Sequence, residues 1–210
     1  MSARRSAPQR RTYHHGNLRS ALVDAATGLL EAEGQVGVTL RGTARRAGVS
    51  QTAPYRHFRD KEALLAAVAE EGFRDMVRAA RRAAARHGDD PVAAVRAMAI
   101  AYVRFATTHP SHYRLMFGPS VRGSAHPSLR QAAATAWTDL TGAIVTAQSA
   151  GGFRAGEPSA LAFVLWCSVH GLATLVADEQ IPPAVRATFS VEQLAEHAFD
   201  VVLAGLTPVS

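Results

Sequence analysis

Lysine is nearly missing from this 210-residue chain, which sets one Lys against 22 Arg. That bias reads as a GC-rich coding preference and carries no functional code of its own. Cysteine is equally scarce: Cys167 stands alone, so no intrachain disulfide can form and nothing points to an oxidising compartment. Set in an apolar run, Cys167 reads as a small core residue. The signatures of catalysis are absent as well. There is no G-x-S-x-G elbow, no phosphate-binding glycine loop, no H-E-x-x-H and no acid pair set off by periodicity, so an enzyme is not expected. The opening MSARRSAPQRRTYHHGN is basic but lacks the apolar stretch of an export signal. The most apolar window, Leu161–Ala177, contains Ser168, His170, Gly171 and Thr174 and falls short of the roughly 20 residues a membrane span needs, so a buried helix fits better. A cytoplasmic protein without membrane contact is expected. His14 and His15 are adjacent, but no acid or Cys at ligand spacing joins them, and neither a metal nor a cofactor is expected.

What the chain has in excess is positive charge, and only in its first part. Residues 1–86 hold 15 Arg and one Lys against 8 acids, a net +8, whereas residues 87–210 hold 7 Arg against 9 acids, a net −2. A basic head on a near-neutral body is the footprint of a module that binds a polyanion, because each cation that meets a phosphate releases condensed counterions. Solvated basic helix faces are the plainer reading of the same charges.

Helical periodicity runs through the rest. After a polar arm over residues 1–16, Leu18, Leu22, Ala25, Ala26, Leu29 and Leu30 share one face of a first helix at about 17–33, with Gly34 as a left-handed stop. Thr39 caps a short second helix in which Leu40, Ala44 and Ala47 share a side, and Gly48 ends it. Val49 plugs the turn. Ser50 or Thr52 caps a third short helix running to Phe58, and Asp60 caps a fourth over about 60–86. Further helices are expected at about 91–108, 111–117, 127–150, 158–178 and 190–206, broken at Pro110, Gly118–Pro127, Gly151-Gly152 and Pro182-Pro183.

The segment TLRGTARRAGVSQTAPYRHFRDKEALL, residues 39–65, carries the most specific pattern. Two short helices joined by Ala47-Gly48-Val49-Ser50 match a helix-turn-helix, whose second helix lies in the major groove. Ser50, Gln51 and Thr52 open that helix, where backbone N–H groups and the positive dipole end favour phosphate. Gln51 suits an adenine edge and Arg56 a guanine edge. Tyr55 and His57 suit phosphate oxygens, Lys61 adds a charge at the start of the fourth helix, and Thr39 does likewise from the second. Duller roles exist for each: Ser50 and Thr39 as caps only, Tyr55 as half-buried packing, and Arg45, Arg46 and Arg59 as solvated or phosphate-near charges.

Taken together, Thr39, Ala44, the AGVS turn, the Tyr55–Phe58 spacing and the Asp60-Lys61-Glu62 helix start resemble the signature of the TetR family of transcriptional regulators. The resemblance implies an all-α protein with an N-terminal three-helix helix-turn-helix domain (17–65) and a larger helical ligand-binding and dimerisation domain (87–210). Carried over position by position, the family's DNA contacts fall on Thr39, Gln51, Thr52, Ala53, Tyr55, Arg56, His57 and Lys61, with Phe58 in the core. The sequence departs from the family pattern at Pro54, which as an interior helix residue removes a backbone bond unless the helix starts near Thr52. It departs again at Gly42 and Thr43, which replace better helix formers and a branched apolar residue.

Flexible Arg10 and Arg11 are placed to reach a minor groove, with an unattached tail as the equal alternative. In the second part, Tyr102-Val103-Arg104-Phe105, His109-Pro110, Tyr113 to Phe117, and Trp166 with His170-Gly171 resemble the WHG type of TetR C-terminal domain. Met98, Tyr102, Phe105, Tyr113, Met116, Phe117, Trp137, Phe163, Trp166 and His170 supply candidate walls for a cavity that would take an apolar or aromatic effector. Taken singly, each reads more readily as ordinary core. The last two helices present apolar faces, Leu161, Leu165, Ser168, Leu172 and Leu175 with Val191, Leu194, Ala195, Ala198 and Val202; in the family the last helices form the homodimer, and the plainer alternative is that one face is intramolecular core. The expectation is a regulator, repressor more readily than activator, that binds palindromic double-stranded operator DNA as a dimer. The competing reading is an architectural DNA binder with no ligand, marked by weak sequence preference and a steep salt slope.

Overall fold

The computed structural model describes residues 18–121 and 126–207, which form nine α-helices and no strand. The basic arm, with Arg10, Arg11, His14 and His15, lies outside the described residues. Helix α1 (Leu18–Gly37) buries Leu22, Ala25, Ala26, Leu29 and Leu30, and breaks at Gly34, whose φ of 68° is cheap only for glycine. One more turn follows before α2 (Leu40–Arg46), capped by the Thr39 hydroxyl, which accepts from the Gly42 N–H at 2.9 Å. Helix α3 (Lys61–Ala84) starts on Asp60, whose carboxylate accepts from the Ala63 N–H at 2.8 Å. It passes into a 3-10 turn, Ala85–His87.

The second part holds α4 (Pro91–Thr108), α5 (Pro110–Phe117), α6 (Pro127–Ser149), α7 (Pro158–Ala177), α8 (Pro183–Thr188) and α9 (Val191–Leu206). Each of α4 to α8 begins with a proline, where the missing N–H has no helical partner to lose. The short α8 went unforeseen because Pro182-Pro183 reads as a break, when Pro183 in fact opens a helix. Ser190 and Gln193 close a reciprocal capping box on α9.

One buried cluster runs from α1, α2 and Phe58 along the first half of α3 into α5 and the start of α6. A second joins α4, the end of α6, α7 and α9 around Ile144, Leu165 and Phe199. Helix α5 packs on α1, α3 and α7 at once. Its His112 is buried; the ring Nε2 lies 2.7 Å from the Val68 carbonyl of α3, and the backbone N–H donates to Glu31 of α1 at 3.2 Å. Gly72 faces it, and a Cβ there would lie 2.6 Å from both His112 Nε2 and Met116 Sδ.

Two expectations about α7 are corrected. The helix has 20 residues, with mean hydropathy 1.9 over an 18-residue window, long and apolar enough to cross a membrane, and only a third of that window is buried, so it is not a buried helix of the chain. Leu161, Leu165, Val169 and Ala173 pack inward, while Phe163, Val164, Leu175 and Cys167 face out. Cys167 is therefore surface and not core.

Candidate nucleic-acid interface and apolar cavity

The expected third helix is a single 3-10 turn, Pro54–Arg56. Proline explains the difference. A regular α-helix from Ser50 would need an N–H at residue 54 to reach the Ser50 carbonyl; proline has none, and Ala53 donates to Ser50 instead at 3.0 Å. Arg56 then bonds Ala53, and His57 and Phe58 both bond Pro54 at 2.9 Å, so the turn closes tightly. Neither Ser50 nor Thr52 caps it; their hydroxyls face each other at 3.3 Å. Pro54 and Phe58 are buried, and this plants the turn on the core while Ser50, Gln51, Thr52, Tyr55, Arg56 and His57 stay exposed. Tyr55 is 53% exposed despite its aromatic ring. Ala53, among the expected DNA contacts, is buried instead.

Thr39 is exposed at the start of α2 even while its hydroxyl caps that helix. Gly42 makes the cap possible, since a Cβ there would lie 2.8 Å from the Thr39 hydroxyl. Thr43 is wholly buried and its hydroxyl has no hydrogen-bond partner among the described residues. The Lys61 ammonium donates to the Gln35 carbonyl at 2.9 Å and lies 3.4 Å from that of Val36, so it also closes the C-terminal end of α1. Arg59 pairs with Asp60 at 2.8 Å, and Arg46 lies against Gly28 of α1; Arg41, Arg45 and Arg56 are exposed cations of the same head.

A cavity of about 390 Å³ opens between α3, α4, α6 and α7. Of the ten residues expected to wall it, Met98, Tyr102, Phe117, Trp137 and Trp166 do so. The other five are placed elsewhere. Phe105 is turned toward His109 and His112, Met116 packs beneath Gly72, and Phe163 points out from α7. Tyr113 and His170 form a polar layer behind the wall. The Tyr102 and Tyr113 hydroxyls lie 2.9 and 2.8 Å from His170 Nδ1 and 3.4 Å from one another, and the imidazole stacks on Trp166. Burial lowers the His170 pKa and raises those of both tyrosines, so at neutral pH all three are uncharged.

The rest of the wall was missed in the sequence. Phe73, Met76, Val77 and Ala80 of α3 enclose one side, spaced at three and four residues on a helix read only for its DNA-proximal end. Among the described residues, Asp139 is the one charged group in the lining. Among the described residues no cluster of His, Cys, Asp and Glu is placed to hold a metal ion.

Residues 22–68 match the family described as "Bacterial regulatory proteins, tetR family", and residues 95–202 match "Tetracyclin repressor-like, C-terminal domain". The latter description does not separate the WHG type from others. Among solved structures, a protein of unknown function from Rhodococcus sp. RHA1 is 35% identical, with 95% of this chain and 100% of that one covered at a TM-score of 0.83. A regulatory protein of the tetR family from Rhodococcus RHA1 shares the fold at 20% identity, covering 91% and 98% with a TM-score of 0.67. The fatty acid degradation regulator FadR from Bacillus halodurans does so at 13% identity, covering 91% and 97% with a TM-score of 0.71. With both halves matched, and with an exposed recognition turn set on a helical core, the chain belongs to the TetR family of DNA-binding transcriptional regulators.

Proposed function

We propose that this protein is a cytoplasmic, ligand-released repressor: a homodimer that holds a palindromic operator and lets go when a small apolar or aromatic effector fills the cavity. One observation carries the reading. Helix α3 starts beside the recognition turn, with Lys61 bonded to the end of α1, and its Phe73, Met76, Val77 and Ala80 form a wall of the cavity. A molecule entering the cavity pushes on the helix that seats the head.

Thr39, Ser50, Gln51, Thr52, Tyr55, Arg56, His57 and Lys61 form the DNA-facing set. Gln51 and Arg56 reach base edges and the others hold phosphate. The outward face of α7, with Phe163, Val164 and Leu175, and Val201 of α9 supply the dimer contact in place of the expected Leu161, Leu165 and Ala195, which are buried within the chain; the contact would cover apolar surface otherwise left in water. Two heads on a two-fold axis fit successive major grooves when they stand about 34–36 Å apart. A nearly complete release requires the effector to prefer the released form by about 5 kcal/mol.

The test is selection of bound DNA from a random library at near-physiological salt, with the Gln51→Ala, Tyr55→Ala double variant alongside. Enrichment of one inverted repeat, lost in the variant, is the expected result. Salt-sensitive binding with no enriched motif would support the architectural reading and refute this one.

A further inference from the structure

We propose that the effector is a lipophilic cation whose charged end takes the place of the Arg81 guanidinium on Asp139. The proposal rests on the cavity being the effector site, and it specifies the chemistry that site selects.

The cavity wall is aromatic and aliphatic except at Asp139. A second, wider cleft of about 590 Å³ lies toward solvent, and Met98 and Asp139 line both, so the two spaces adjoin at that carboxylate. Arg81, near the end of α3, lines only the outer cleft. Its Nε and an Nη donate to the two Asp139 oxygens at 2.6 and 2.8 Å, a bidentate pair that links α3 to α6 where the two spaces adjoin. A molecule that spans the two spaces would compete with Arg81 for this carboxylate.

The two partners differ in how freely they leave. The Arg81 side chain is 60% exposed and swings into water at little cost, as partners of solvated ion pairs do. The Asp139 side chain is 20% exposed on a packed helix and stays. An apolar ligand that displaced Arg81 and covered Asp139 would leave a carboxylate desolvated and unpaired, and an anionic one would add like-charge repulsion. An ammonium or amidinium end satisfies the carboxylate while its apolar body sits among Tyr102, Phe117, Trp137 and Trp166. Loss of the pair also removes one link between the far end of α3 and α6, on the helix that seats the head.

The chain has two tryptophans, Trp137 and Trp166, and both line the cavity, so intrinsic fluorescence reports its occupancy. The experiment titrates the full-length protein at pH 7 with octylammonium, 1-octanol and octanoate, three probes alike in chain length and different in charge. Octylammonium is expected to bind at least tenfold more tightly than 1-octanol. Asp139→Asn should abolish that margin while leaving 1-octanol within twofold. Arg81→Gln, which removes the competing cation at an exposed position, should tighten octylammonium at least threefold and leave 1-octanol unchanged. If circular dichroism shows that Asp139→Asn does not fold, the probe ranking and Arg81→Gln decide. Tighter binding of 1-octanol or octanoate than of octylammonium, or an Arg81→Gln variant with unaltered cation affinity, would overturn the cationic effector and leave the cavity reading standing. Failure of all three probes to alter the fluorescence would overturn both.

Discussion

Gly72 is the position at which the packing of α5 on α3 can be tested by a single methyl group. In the middle of a helix, Gly→Ala ordinarily stabilises by about 1 kcal/mol. Here the added Cβ would stand 2.6 Å from His112 Nε2, 2.6 Å from Met116 Sδ and 2.8 Å from His112 Cδ2. The imidazole cannot turn away freely, since it is 4% exposed and engaged with the Val68 carbonyl. Overpacking of this kind costs about 1–3 kcal/mol, and a buried ring nitrogen left unpaired would cost about 1–3 kcal/mol more, while the Val68 carbonyl keeps its helical partner. Set against the helical gain, Gly72→Ala is expected to lose about 1–5 kcal/mol. Gly142 is the matched comparator: it lies inside α6, is exposed, and its Cβ would meet nothing within 4 Å, so Gly142→Ala should gain about 1 kcal/mol. Urea unfolding followed by circular dichroism, at one fixed protein concentration, measures both. Equal stability of the two variants would refute the seating of His112 against Gly72.

Thr43→Val should stabilise the head by about 1 kcal/mol, because it replaces a buried hydroxyl that has no partner with a methyl of the same size; an unchanged or lower urea midpoint contradicts that assignment. Burial lowers the His112 pKa in the folded state, so below its ordinary value of 6.5 the unfolded chain binds the proton that the folded chain refuses. Stability therefore falls as pH drops from 6.5 toward the lowered folded pKa and is fully present above 6.5, with a slope of up to about 1.4 kcal/mol per pH unit from this one group. His112→Gln should flatten the urea midpoint measured between pH 7.5 and 5.5, and an unaltered slope would exclude His112 as its source. Phe163→Glu with Val201→Glu places charges on the outward faces of α7 and α9 and should convert a dimer into a folded monomer by analytical ultracentrifugation; a dimer that persists sets the interface elsewhere.

Those residues also mark how far the sequence could be read. The caps at Thr39 and Asp60 and the stop at Gly34 were legible because each depends on one residue and its immediate neighbours. The helices of the body were legible from apolar period, apart from α8, where proline acts as a first residue and not as a terminator. The recognition turn was misjudged as a longer helix because Pro54 decides between two hydrogen-bond patterns that share the same apolar spacing. Cys167 and Phe163 were misplaced for a different reason: α7 is apolar on nearly every side, so periodicity cannot say which face packs inside the protomer. The cavity was half legible. Aromatic residues of the body announced it, but the contribution of α3 and the single carboxylate at Asp139 depend on which helices the fold sets side by side.

The length of α3 has a mechanical consequence. Its 24 residues span about 36 Å, at 1.5 Å each, and they reach from the ends of α1 and the recognition turn to the mouth of the cavity. A tilt of about 5° about one end of such a rod displaces the other by about 3 Å. Hydrogen bonds to base edges operate over a window of only a few tenths of an ångström. In the proposed release the helix would act as a lever: a small displacement at the cavity end would carry the recognition turn out of reach of its groove.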